Sequence, residues 1–402
     1  MPRQRHNITR RGLIRATAAT GAVAATVSVL SGCGSSSSDD STNPVVVDES
    51  QETSILDKYK EADSPLTLKS TWSIALGNVL HPAEGTWIPC TTAGSSASPM
   101  VKGSALSLAS GTVGEVVSAP ITSDSNVEIY DVRCSDSVYA WVELDLLTHS
   151  WWLYAQPFSD GALSGKATTL WKADSDYDPP KFCVTGSSVI WLVMPSSSGK
   201  KTSESSYCYL WNSGDSKAKA VVESPGRFAT EPSVSNGMVT LVPRVGSSSS
   251  VYYGITAYKL SDELGTQVDQ LVLPQSVKPM NATRIGDKFA FSIESTYSSG
   301  GVLGTMGTYI GTPDGPFLAL SREPFATVSG KDGLYIIKST SSYFVVDSSA
   351  QTYAVLAATN RCVDYGEYPG TQGQSDSFVT FATVKSQETG YPSAVSVRLF
   401  AL

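Results

Sequence analysis

Chemistry needs bases, nucleophiles and carboxylates at workable spacing, and this 402-residue chain offers few of them. Of its three histidines His6 lies in a basic leader, leaving His81 and His149, and there is no G-x-S-x-G or H-E-x-x-H to give either a partner. A serine without a positioned base is a poor nucleophile, so both histidines read as single surface or turn residues. Carboxylates are better placed, because Asp131, Asp178 and Glu231 all stand in or before strand-like runs. Asp174-Ser175-Asp176-Tyr177-Asp178 sets three acids at alternate positions, as calcium loops do, but Thr185 stands where such a loop has its distal Glu. Asp174, Asp176 and Asp178 are therefore read first as a solvated turn before Pro179-Pro180, with calcium as the one metal to test and no other cofactor expected. Five cysteines follow the leader: Cys90, Cys134, Cys183, Cys208 and Cys362. An odd number leaves at least one free thiol. Cys134 and Cys183 hold near-equivalent positions in neighbouring units and are the disulfide to test, with burial as free thiols the equal alternative.

The elements that must position these residues repeat. The cleanest copy, Lys181–Pro232, reads as four short strands, Lys181–Thr185, Ser188–Met194, Tyr207–Asn212 and Ala218–Glu223, each rich in β-branched and aromatic residues and bounded by Gly, Ser, Pro or Asp. The strongest run of each copy begins near Thr86, Ser137, Ser188, Gly237, Asp287, Asp332 and Ser377, at intervals of 51, 51, 49, 50, 45 and 45 residues. That is the blade length of a propeller, and a unit with two apolar faces must stack on its neighbours to bury both. Turns such as Ser235-Asn236-Gly237 and Gly330-Lys331-Asp332-Gly333, followed by an apolar strand, a polar hairpin and an aromatic third strand, resemble the TolB-like and WD40-like propeller repeats. The resemblance implies an all-β fold over residues 66–402 and nothing about activity, since propellers host many functions. Seven four-stranded blades are expected, with six or eight as alternatives. The last unit lacks a fourth strand after Ser393–Leu402, and Leu66–Ile74 can supply it, closing the ring.

In a propeller the connections leading into each innermost strand gather around one mouth of the channel. Here they carry Tyr130, Asp131, Tyr177, Asp178, Arg227, Glu231, Arg322, Glu323 and Tyr365, the aromatic and charged material of a binding site. Ordinary capping and ion pairing within each loop is the even alternative. Two function classes follow: a non-catalytic binding or scaffold module for an envelope protein, peptide or glycan, and a glycosidase or lyase working with Asp131, Asp178 and Glu231. Paired acids for the second would face each other at about 5 to 10 Å.

The leader carries an address. Thr9-Arg10-Arg11-Gly12-Leu13-Ile14-Arg15 precedes an uncharged small-residue run to Leu30, too short for a comfortable membrane span, and then Leu30-Ser31-Gly32-Cys33. Arg10 and Arg11 resemble the twin-arginine export motif and Leu30–Cys33 the bacterial lipobox. The resemblance implies a signal peptide over 1–33, lipidation of Cys33, and a protein held in the bilayer on the outer face of the cytoplasmic membrane. Residues 34–65 read as a Ser- and Asp-rich tether, with a short helix conceivable around Ile55–Glu61. Without the five leader arginines the formal charge of −8 becomes −13, which argues against nucleic acid as a partner.

Overall fold

The unit around Lys181 folds as its alternation dictates. In the computed structural model, which describes residues 47, 49–96, 98–122, 126–246, 251–297, 301–321 and 326–402, it forms one antiparallel sheet of Lys181–Thr185, Ser188–Val193, Ser206–Asn212 and Lys219–Ser224. Burial falls across it in the order the composition requires. Every residue of Ser188–Val193 is buried, whereas Lys219–Ser224, the outermost strand, is largely open to solvent. A strand packed on both faces reads as a continuous apolar run, which is why SVIWLV carries the period so clearly.

Among the described residues the strands make seven such sheets. Numbered along the chain by their innermost strands, they begin with Asn78–Leu80, Val127–Cys134, Lys181–Thr185, Ser233–Ser235, Pro279–Ile285, Val328–Lys331 and Cys362–Pro369. Apolar clusters join each sheet to the next. Trp151 of the second packs with Trp191 of the third, and Phe291 of the fifth shares a cluster with Ile255 of the fourth. A further cluster joins Val379 and Val397 of the seventh sheet to Leu80 and Ile88 of the first, so the array closes on itself as a β-propeller. Truncating a wholly buried aromatic such as Trp191 in these layers costs about 3 to 5 kcal/mol.

Closure is also made in the chain. Thr67–Ala75 pairs antiparallel with Pro392–Ala401, joining the two ends of the domain in the seventh sheet. Its partner strand pairs on its other side with Ser377–Lys385, so neither face of the last hairpin is left as a free edge.

Residues 52–61, counted with the tether at the sequence level, are docked. Glu52–Ser54 adds in parallel to the outer edge of the fifth sheet and Lys60–Glu61 to that of the sixth, with one helical turn, Ile55–Lys58, between them. Ile55 is wholly buried in the layer joining those two sheets. One apolar residue among charges is a weak signal in sequence, and a pair of exposed sheet edges is what makes it enough. Residues 1–46, including Arg10, Arg11 and Cys33, lie outside the described residues. Among the described residues no helix is long and apolar enough to cross a membrane.

Candidate functional site

The innermost strands share one register. Arg133, Cys183, Ser233, Thr283 and Ser329 each pair with the residue seven positions on, so they stand at the same distance from the hairpin turn in five successive sheets. Residues two positions earlier lie on the same face of a strand, which places Asp131, Lys181 and Asn281 one step nearer the opposite mouth, with Glu231 at the matching sequence position just before Ser233–Ser235. Contacts between sheets confirm that this face looks into the channel. Ser233 Oγ and Thr283 Oγ1 are 2.7 Å apart, and Arg133 Nη2 reaches to 3.6 Å from Glu231 Oε2, two sheets away.

The charged groups gather on the first, second and fourth sheets. A bulge between Ile129 and Asp131 leaves Tyr130 exposed and turns Asp131 and Arg133 together toward the axis. Arg133 Nη1 donates to Asp131 Oδ1 and to the Val132 carbonyl. His81, just beyond the innermost strand of the first sheet, brings Nδ1 to 3.0 Å from Asp131 Oδ1 and 3.2 Å from Arg133 Nη1, while its Nε2 lies 3.1 Å from Thr91 Oγ1. Burial works against ionisation of Asp131, yet the Arg133 guanidinium and His81 outweigh it and hold its carboxyl below the usual range. Burial likewise opposes the charge on Arg133, and Asp131 with Glu231 more than restores it. Asp131 is thus saturated. Glu231 is not: its side chain is 38% exposed and its one ion-pair contact among the described residues is long.

One end of the channel is crossed by chain. After the innermost strand of the seventh sheet, Thr371–Gln374 runs inward, and Gly373–Gln374 pairs in parallel with Ser329–Gly330 of the sixth sheet. Gln372 Nε2 donates to Asn281 Oδ1 at 3.3 Å, the Gln374 amide donates to Ser235 Oγ at 3.0 Å, and Gln374 Oε1 accepts the Gly286 amide at 2.8 Å. Gly373 is required here. Its φ is +74°, and a Cβ would run into the hydroxyls of Ser235 and Thr283.

The expected site residues separate into groups. Asp131 and Glu231 meet through Arg133. Asp178 instead pairs with Arg227 at 2.5 Å, and Arg227 also donates to the Pro195 carbonyl. Tyr177 donates to Glu204 at 3.0 Å and accepts from Lys201 at 3.2 Å, so its loop forms a network of its own. Arg322 and Glu323 lie outside the described residues; Tyr365 falls in the strand Cys362–Pro369, but its side chain is not among those described. Asp174 accepts the Asp176 amide in a turn and Asp178 is spent on Arg227, and among the described residues no group of three acids, histidines or cysteines could hold a metal ion.

The five domain cysteines are free thiols, which corrects the Cys134–Cys183 bridge. Cys134 stands one position past Arg133, the register equivalent of Cys183, so the two thiols point to opposite faces of their strands. Cys134 points into the layer between the first and second sheets, and Cys183 packs against the layer between the third and fourth. Burial pushes the Cys90 thiol up to about 12 and raises Cys134, Cys183 and Cys208 as well.

His81 and Arg133 are the functional residues that sequence reasoning passed over. The fifty-residue spacing of Arg133, Cys183, Ser233 and Thr283 is a signal that could have found Arg133. His81 carries the same mark, standing fifty residues before Asp131 in the row that continues through Lys181, Glu231 and Asn281.

No protein-family model and no curated protein matches this chain. Among solved structures it is similar to one from a structural and mechanistic study of two prolyl endopeptidases, at 13% identity over 81% of this chain and 50% of that one, TM-score 0.49. It is similar also to the β-propeller domain of the Trilobed protease from Pyrococcus furiosus, at 9% identity, 76% and 91% coverage and TM-score 0.46, and to acylaminoacyl peptidase from Pyrococcus horikoshii, at 11%, 64%, 43% and 0.41. The chain spans half the length of the prolyl endopeptidase chain and less than half of the acylaminoacyl peptidase. These likenesses are of fold. The similar structures belong to peptidases, and the expectation of a non-catalytic binding or scaffold module is not carried further. The glycosidase or lyase reading is corrected on the structure's own ground: Asp131 and Glu231 are tied to one guanidinium and Asp178 to another, so no two of these acids stand free across a cleft.

Proposed function

We propose a peptidase-related function in which the propeller channel takes up peptide and orients it for cleavage. The observation that carries this reading is the cluster His81, Asp131, Arg133 and Glu231, a charged surface set on or directly beside the innermost strands of three different sheets. A peptide offers ionised ends and a backbone of donors and acceptors, and a channel wall with both signs of charge and rows of hydroxyls is suited to hold it. The ring that presents the wall is read as seven blades, with six as the alternative; seven sheets joined by clusters in a closed circuit support the larger number. The domain is carried, in this reading, by a lipidated Cys33 after export directed by Arg10 and Arg11, on the outer face of the cytoplasmic membrane.

The test is to incubate the full-length protein with a pool of linear oligopeptides, following binding by calorimetry and shortening by mass spectrometry. Peptides are expected to bind or to be shortened, and Arg133→Gln is expected to weaken either effect by about tenfold or more. If the folded protein neither binds nor shortens any peptide in the pool, the proposal fails.

A further inference from the structure

The crossing strand has a consequence for what the channel can accept. It leaves the seventh sheet and touches the sixth, fifth and fourth, and in a closed ring of seven sheets the fourth lies three or four places from the seventh whichever way one counts. A segment that makes those contacts has to pass over the axis. It does so at the hairpin end, where other turns also close ranks: the Thr86 amide donates to Asp136 at 2.8 Å, and Ser135 Oγ to the Gly186 carbonyl at 2.5 Å. The channel is therefore floored at that end, and the charged cluster lies above the floor, one register step toward the other mouth.

We propose that the channel is a one-ended cup that receives the amino terminus of a peptide, with Glu231 as the acceptor for its ammonium group. The proposal rests on the peptide reading above and adds two things to it, each from a separate observation. The floor means that a chain cannot thread through, so it enters by an end. The Glu231 carboxylate, open to solvent and held by one long ion pair, decides which end. Arg133 is already engaged by Asp131, the Val132 carbonyl and Glu231, so it has little to offer a carboxylate, whereas Glu231 is open to a donor. An ammonium hydrogen-bonded to a partly buried carboxylate is a charge-assisted pair, stronger than a neutral one.

The experiment uses calorimetry on the full-length protein with one binding peptide in four forms: linear, N-acetylated, C-amidated and head-to-tail cyclic. The linear and C-amidated forms are expected to bind alike. Acetylation is expected to weaken binding by about tenfold or more, and cyclisation to abolish it. Glu231→Gln, which keeps size and shape, should weaken the linear form by a similar factor and make acetylation of no further consequence. Equal binding of linear and cyclic forms overturns the cup while leaving the peptide reading intact. Loss on C-amidation with none on acetylation overturns the role given to Glu231. Failure of all four forms to bind counts against the peptide reading itself.

Discussion

Arg133 and Asp131 form the most consequential pair in the channel because neither can be removed without stranding the other. Arg133→Met leaves a carboxylate that is 19% exposed with no guanidinium beside it, and breaking such a pair costs about 3 to 5 kcal/mol. Chemical denaturation of the folded domain should show that loss, and a change under 1 kcal/mol would mean the pair is weaker than its geometry implies. The pair also has a pH signature. The Asp131 carboxyl titrates below its unfolded value of about 3.9, so its stabilisation is fully present above pH ~4 and is lost as the pH falls from there through the folded value. Melting temperatures measured between pH 6 and 3 should fall less steeply in Asp131→Asn than in the parent protein. The thiols make a third residue-scale prediction. Buried and pushed up by that burial, Cys90, Cys134 and Cys208 should resist iodoacetamide in the native state, and all five domain cysteines should react once the protein is unfolded without reductant. A disulfide would instead keep two of them unreactive.

At the scale of elements, the second strands were the legible part. Ser188–Val193 and Val138–Asp145 are buried on both faces and so read as apolar runs, and their spacing gave the period. Three elements were hard to read for one common reason, namely that what defines each lies far off in the chain. Thr371–Gln374 looks like an ordinary polar turn until the fourth, fifth and sixth sheets supply its partners. Residues 52–61 look like linker until two sheet edges receive them. The Asp174–Asp178 acids look like a metal loop until Arg227 takes the last of them. Two substitutions separate these cases. Ile55→Ala should destabilise the domain by about 2 to 5 kcal/mol if the segment is docked, and by almost nothing if it is a tether. Gly373→Ala puts a Cβ at positive φ against Ser235 and Thr283, and should cost at least about 1 kcal/mol by the same denaturation assay; a neutral result would mean that the crossing strand is not seated as described.

For the molecule as a whole, closure of the ring and flooring of the channel act together. Pairing of Thr67–Ala75 with Pro392–Ala401 holds the seventh sheet in place, and that sheet supplies the crossing strand. The same closure holds the first and second sheets against the rest, and with them His81, Asp131 and Arg133. The site was only half legible for this reason: Asp131 and Glu231 could be picked out as loop and strand acids, but that they share Arg133 depends on how the ring brings the second and fourth sheets to one axis. The account's central claim is that peptide is received inside this channel. Hydrogen–deuterium exchange of the full-length protein with and without saturating linear peptide tests it most directly. Protection is predicted in the innermost strands, Val127–Cys134 and the stretch from Glu231 to Ser235, with the outermost strands unchanged; protection confined to the outer strands, or to the Tyr177 loop alone, would contradict it.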